Sequence, residues 1–393
     1  NKMSQATGLG ITGNIIDCYA AVLRMWQPGD RIFLFGFSRG AYTVRCLGGV
    51  LALCGVPTRM RDGTGLKRDL RSAKAIAKEA VKQVYQHVSS PRDAAHVEQR
   101  VALSRRFRAQ YGSGDDERAN AYPYFIGVFD TVAALGSYRT FALLAAAFVG
   151  AIAAASFGVS LVLCTFLPIF LFTLGAAGVL AACLYLLKHI KFARGLEGYS
   201  LWQTLHLAAP RMKFYDRQLN ENVRFARHAL SIDENRTDFM RVEWAQLKAR
   251  GLPRQGGEPE WLEQVWFAGI HSDIGGSYNE NESRLSDIAL KWMVESAQAV
   301  PDGIELDCSL LRLYPSAAGI QHDERKSGRF SSLWTLGLRP IRTDAPLDPS
   351  VLERFALEGV IHFDETKPYR PAGLREHQAV KHFYESVDGV GHQ

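Results

Sequence analysis

The chain has 393 residues, 47% of them apolar and 22% charged, with a formal net charge of +6. That length holds one large domain or two ordinary ones, and the composition excludes a disordered chain. The mild basic excess carries no run of Lys and Arg interleaved with aromatics, so no nucleic-acid partner is expected.

Six cysteines (Cys18, Cys46, Cys54, Cys164, Cys183 and Cys308) form no Cys-x-x-Cys pair and no ligand cluster with histidines. They are read as free, mostly buried thiols of a reducing compartment. No signal-peptide pattern is read at the start. The chain opens on Asn1 rather than Met and is read as part of a longer one.

A glycine-rich lead-in, Ala6 to Gly13, lacks the Lys-Ser/Thr of a phosphate loop and is read as a turn. Asn14 to Trp26 then repeats Ile15, Ile16, Tyr19, Val22, Leu23 and Trp26 at helical spacing. Pro28-Gly29-Asp30 is turn chemistry, and Ile32 to Phe35 is a short apolar run of the kind a doubly covered strand needs. Gly36-Phe37-Ser38-Arg39-Gly40 follows, then an apolar stretch from Ala41 to Cys54 that reads as a helix. Strand, tight turn and helix in that order fit a G-x-S-x-G elbow, in which small residues allow strand and helix to approach and the serine hydroxyl stands beside a helix N-terminus. Residues 59–118 form a polar, basic, mostly helical insertion with Lys67, Arg68, Arg71, Lys74, Lys78 and Lys82 along one stretch. A solvated face is the first reading of these charges and attraction to anionic headgroups the second.

Pro123 to Phe129 is a second buried strand, ending on Asp130. Functional groups of open α/β sheets gather at the carboxyl ends of strands, where both Ser38 and Asp130 stand. The 48 residues from Thr140 to Leu187 contain no charge, which is length for two membrane spans. A helical hairpin over roughly 141–161 and 164–187 is expected, with a lipid-facing hydrophobic lid or a re-entrant loop as the alternative. Arg139 flanks one end and Lys188, His189, Lys191 and Arg194 the other, placing both ends on the cytoplasmic side.

Soluble character returns at Gly198 to Arg211, read as helical, and at Glu221 to Asp233, which mixes strand and helix signals. Glu263 to Ile270 is a third strand that runs into His271-Ser-Asp-Ile-Gly-Gly-Ser-Tyr278, and Leu285 to Val294 is an amphipathic helix. Serine, aspartate and histidine at three strand ends, in that chain order, are the nucleophile, acid and base of an α/β-hydrolase triad. The backbone N–H of Arg39 is the expected oxyanion donor, and the chemistry calls for no metal or organic cofactor. The region 301–393 is read as irregular and carries no further functional signal.

Four blocks together carry a family resemblance: Gly36 to Arg45, Gly127 to Val132, His228 to Arg236 and Val265 to Tyr278. They resemble an α/β-hydrolase domain family that includes the first class of type VI secretion phospholipase effectors. The resemblance implies an α/β fold, a mostly parallel hydrolase-like sheet flanked by helices, with a hydrophobic hairpin inserted between acid and base. It also implies Ser38, Asp130 and His271 as the triad; Asp273 shares the last block and is given no catalytic role. Members begin with a strand bearing an Asp-Gly-Thr turn, which this chain lacks, so one or more N-terminal strands are expected beyond it.

The organisation expected is therefore a first hydrolase segment over 1–139, the hydrophobic segment over 140–190, a second hydrolase segment over 191–300 and the tail. The function expected is hydrolysis of lipid carboxylic esters, foremost phospholipids, at a membrane. The location expected is the bacterial inner membrane with the hydrolase part cytoplasmic, or a target cell after delivery, with secretion-system or immunity partners. The alternatives are a catalytically idle, membrane-anchored interaction protein and an esterase of small soluble esters.

Overall fold

In a computed structural model, the described residues are 10–88, 91–132, 138–163, 165–208, 218–237, 239, 242–244, 257–327 and 336–388. Four parallel strands, β1 (Ile32–Phe37), β2 (Pro123–Phe129), β5 (Phe225–Ser231) and β6 (Leu262–Phe267), lie side by side in chain order. β3 (Ile190–Lys191) and β4 (His206–Leu207) form a separate antiparallel pair, and β7 (Val360–His362) and β8 (Glu365–Lys367) another. β5 is buried along its whole length, which settles the mixed signal of its sequence in favour of a central strand.

Helices cover both faces of the sheet, as a parallel sheet requires. On one face, α1 (Ile11–Met25) and α2 (Arg39–Cys54) pack with α3 (Leu70–Glu79) and α4 (Val97–Tyr111), burying Tyr19, Leu47, Leu51, Val81, Phe107 and Val128. The basic insertion thus turns its apolar face to the body: Ala73, Ile76 and Ala77 of α3 are buried, and Lys74 meets Asp17 of α1 at 2.8 Å. α3 begins on an Asp69 cap that accepts the Ser72 N–H at 3.0 Å. Its end tightens through a π-turn (Ala80–Val84) and a 3-10 turn (Tyr85–His87). On the other face lies α9 (Arg284–Ala299), whose Ala289 and Met293 pack on Phe125, Phe225, Ala229 and Phe267. Gly127 makes that approach possible, because a Cβ there would stand 2.5 Å from the Met293 sulfur and 2.7 Å from Phe35.

Between β2 and β3 stand α5 (Tyr138–Leu163) and α6 (Phe166–His189). They touch through Ser156 Oγ and Thr173 Oγ1, 3.0 Å apart. Phe166–Leu187 is long and apolar enough to cross a membrane, with mean hydropathy 2.2 and no part buried; the apolar stretch of α5, Ala145–Leu161, is shorter. Phe172 and Leu167, on different sides of α6, are 77% and 62% exposed, so neither lies on a core face.

A short turn, α7 (Leu201–Thr204), precedes β4, and the expected helix there is confined to it; 209–217 lie outside the described residues. The C-terminal region is more ordered than its sequence suggests. Residues 346–348 run beside the outer edge of β6, with Trp266 N–H donating to Pro346 O and Trp266 O accepting from Asp348 N–H, both at 2.9 Å. α10 (Pro349–Ala356), capped by Asp348, then buries Val351 and Phe355 against Leu230 and Trp266. Of the thiols, Cys46 and Cys54 are buried as expected, whereas Cys183 and Cys308 are exposed; Cys164 lies outside the described residues.

Candidate active site

The turn after β1 is strained at one residue. Ser38 has φ 57° and ψ −118°, a region that L-residues seldom occupy, and α2 starts at the next residue. Gly36 explains how the turn closes: a Cβ there would lie 2.6 Å from the carbonyl carbon and oxygen of Gly40 and 2.7 Å from Ala41 N. Gly40 needs no such freedom, since a Cβ there meets nothing within 4 Å. The close approach is thus between the side of Gly36 and the backbone of Gly40. Ser38 N–H donates to Phe129 O at 3.1 Å, tying the elbow to the end of β2. Arg39 is the first residue of α2, where N–H groups point out of the helix end.

One residue beyond Phe129 stands Asp130, wholly buried and also left-handed, at φ 37°. Its backbone N–H donates to Ala229 O at 2.8 Å, so β5 fixes its position. Its carboxylate accepts from His271 Nδ1 at 2.6 Å, from Ser231 N–H at 3.1 Å, and from Arg339 Nη1 and Nη2 at 2.5 and 2.9 Å. Burial alone would raise its pKa, but the Arg339 guanidinium and the His271 hydrogen bond outweigh it and hold the carboxyl well below the usual carboxylate range.

His271 opens the turn α8 (His271–Gly275) and is buried. In the neutral ring, Nδ1 donating to Asp130 leaves the lone pair on Nε2, and that atom is buried with no hydrogen-bond partner among the described residues. The ring lies against Phe37, centroids 4.5 Å apart, and against Phe239 at 5.1 Å. Phe37 precedes Ser38, so the elbow and His271 meet through this ring. Gly275 makes room for it: a Cβ there would fall 2.0 Å from Phe37 Cδ2.

Of the residues expected at the site, Asp130 and His271 are joined directly, and Ser38 reaches them through Phe129 and Phe37. The outer support has several parts that the sequence did not reveal. Arg339 is held by Ser231 O at 3.1 Å and Phe239 O at 3.0 Å as well as by Asp130. Its signal in the sequence is nil, an arginine among prolines and turns. His228 lies wholly buried in β5 and accepts the Thr131 N–H on Nε2 at 3.2 Å, with Nδ1 3.3 Å from Gln264 Oε1. Glu234 accepts the His271 N–H at 3.2 Å while paired with Arg236. Asp273 shapes the following loop: Oδ2 accepts the Ile270 N–H at 3.0 Å, and Oδ1 meets His322 Nδ1 at 2.6 Å. A cavity of about 710 Å³ opens beside Phe239 and Arg339; Ser38 does not line it.

An uncharacterized protein of Saccharomyces cerevisiae, YEL023C, is 24% identical over 139 residues, which is 35% of this chain and 18% of the yeast protein. A crystal structure of an uncharacterized protein from Pseudomonas aeruginosa matches over 72% of this chain and 26% of that one, at 18% identity and a TM-score of 0.24. The chain thus spans about a fifth to a quarter of these relatives' lengths. The family model described as "T6SS, Phospholipase effector Tle1-like, catalytic domain" matches residues 1–296, which carry Ser38, Asp130 and His271 but not Arg339. The chain belongs to this Tle1-like family of type VI secretion phospholipase effectors.

Proposed function

We propose that the chain is a serine hydrolase of α/β-hydrolase type that cleaves carboxylic esters of phospholipids at a membrane surface. The observation that carries this reading is the buried Asp130–His271 pair at 2.6 Å, with a free Nε2 lone pair on the side of the ring away from the acid. In the proposed reaction His271 Nε2 takes the Ser38 hydroxyl proton as Oγ attacks the ester carbonyl. Asp130 fixes the tautomer and stabilises the imidazolium. The Arg39 N–H, at the start of α2, donates to the developing oxyanion. His271 then protonates the leaving alcohol, and water repeats the sequence on the acyl-enzyme.

No hydrogen bond joins Ser38 Oγ to His271 Nε2 in this state. Such bonds often tighten only with substrate bound. The lipid substrate is supported by family membership and by the exposed apolar surface of α6. We assign α5 and α6 the role of a membrane hairpin that holds the site at the lipid–water boundary, with delivery by the secretion system as the route. Ser38→Ala is expected to abolish fatty-acid release from phospholipid vesicles with the circular dichroism spectrum unchanged. Undiminished release would overturn the assignment. A fluorophosphonate that labels the parent chain but not Ser38→Ala separates a working enzyme from an idle scaffold, and a preference for short soluble esters over vesicles would overturn the lipid substrate.

A further inference from the structure

Three histidines from two distant stretches of the chain meet beside the insertion. His87 ends the 3-10 turn after α3, His96 directly precedes α4, and His206 lies in β4. One ring nitrogen of each lies within 4.8 Å of one ring nitrogen of both others. The rings of His96 and His206 stack with centroids 3.9 Å apart, and His87 stands at right angles to His206 at 4.9 Å.

Gln99 sets the chemistry of two of them. Its Oε1 faces His87 Nε2 at 3.1 Å and His96 Nδ1 at 3.0 Å, while its Nε2 donates to Gln203 O at 3.0 Å. A carbonyl oxygen only accepts, so both ring nitrogens facing it are donors. The lone pairs therefore fall on His87 Nδ1 and His96 Nε2. At His206, Nδ1 lies 3.1 Å from Thr204 O and Nε2 2.8 Å from His87 O. Both nitrogens face carbonyl oxygens, so an ion bound by His206 displaces one of these contacts.

We propose that His87, His96 and His206 form a binding site for a divalent first-row transition metal ion, best matched by Zn²⁺. Imidazole nitrogens are the donors that suit zinc, cobalt, nickel and copper, and three of them leave one position for water. A buried amide holding two ligand rings in fixed tautomers is the outer support such sites use. For Zn–N bonds of about 2.0–2.1 Å, tetrahedral ligands stand about 3.3 Å apart. The half-buried ring of His206 closes that gap by rotation about its side-chain bonds, while Gln99 holds His87 and His96. Lys191 is the cation that opposes binding; it pairs with His206 across the β3–β4 ladder, and its Nζ is turned to Lys82 O at 3.4 Å. The ion ties the end of α3, the start of α4 and the strand next to β3, which leaves α6 directly. It would therefore fix the root of the apolar helices to the body, apart from Ser38 chemistry.

The test is titration of the purified full chain with Co²⁺ and with Zn²⁺, in a variant whose exposed thiols are removed (Cys183→Ser, Cys308→Ser). Expected are d–d absorption bands saturating at one Co²⁺ per chain, displacement by Zn²⁺, and a rise in Tm with either ion. His96→Ala and His206→Ala, both at partly exposed positions, are expected to lose the bands with an unchanged circular dichroism spectrum. Gln99→Leu is expected to weaken binding about 10–100-fold. Absence of saturable binding overturns the proposal, as do thiolate-to-metal charge-transfer bands or binding retained in both histidine variants.

Discussion

Arg339 grips Asp130 with both arms of its guanidinium, Nη1 on Oδ1 at 2.5 Å and Nη2 on Oδ2 at 2.9 Å, 209 residues away in the chain. Both groups are buried, so removing one partner strands a charge. Arg339→Met is expected to cost about 3–5 kcal/mol in urea unfolding at pH 7. The sign with pH follows from the lowered carboxyl pKa. The stabilisation is present above the unfolded value of about 3.9 and is lost as pH falls through the lower folded value. In the fraction of Arg339→Met that folds, the acid limb of the kcat/KM profile is expected to move to higher pH. An unchanged profile would show that Arg339 does not set the charge on Asp130.

Asp130→Asn tests the acid separately. The amide can donate to His271 Nδ1 and impose the wrong tautomer, so turnover on phospholipid vesicles is expected to fall on the order of 10³–10⁴-fold. Fluorophosphonate labelling of Ser38 should slow in parallel. Loss of labelling without loss of turnover would show that turnover does not pass through Ser38.

The strain at Ser38 makes a prediction in which activity and stability diverge. A β-carbon at φ 57° and ψ −118° costs about 1–3 kcal/mol, and glycine escapes it. Ser38→Gly is therefore expected to be inactive yet more stable than Ser38→Ala by about 1 kcal/mol, read as the difference in urea midpoints. Equal midpoints would mean that the elbow is relaxed in solution.

The glycines around the elbow should not be equivalent. Gly36→Ala forces a methyl into the Gly40 carbonyl and is expected to cost about 3 kcal/mol or prevent folding, while Gly40→Ala meets open space and should change Tm little. Gly275→Ala drives a methyl into Phe37, which rests on His271, so it is expected to lower kcat about tenfold or more with a smaller change in KM. Equal tolerance at 36 and 40 would contradict the packing described.

Deleting residues 140–187 removes the exposed apolar faces of α5 and α6. Flotation with phospholipid vesicles is expected to be lost, while hydrolysis of a short soluble ester persists. Full vesicle binding by the shortened chain would assign membrane attachment to another surface.

Much of the arrangement was legible in local patterns. β1, β2 and β6 are short apolar runs that meet polar turns, and Ser38, Asp130 and His271 stand directly beyond or near their ends, so chain order and periodicity led to them. β5 was ambiguous because Arg227 and His228 interrupt its apolar run. Their polarity is accommodated inside, Arg227 by the Glu260 carbonyl and the Glu263 carboxylate, His228 by Thr131 and Gln264. Arg339 was invisible for a different reason. A salt bridge spanning 209 residues leaves no local period, and neither partner's neighbours announce it. The three-histidine cluster escaped likewise, its members lying in a turn, at a cap and on a two-residue strand.

His228 carries the last prediction, on pH. It is buried whole, its Nε2 accepts the Thr131 N–H, and its proton therefore sits on Nδ1 toward Gln264. Burial, reinforced by the charge of nearby Arg45, pushes its pKa down to about 3, against about 6.5 for an exposed histidine. Between those values the unfolded chain binds more protons than the folded one, so stability rises with pH. The contribution is fully present above about pH 6.5 and is lost as pH falls toward 3, a change on the order of a few kcal/mol. His87, lowered to about 4, acts in the same direction. Protonation of His228 would also remove the acceptor that holds Thr131, the residue after Asp130, so activity should fail no later than stability. Urea midpoints between pH 7 and pH 4.5 are expected to fall steeply in the parent chain and less steeply in His228→Gln, which lacks the titrating ring. Parallel slopes would show that His228 does not stay neutral and buried in the folded chain, and that the acid sensitivity comes from elsewhere.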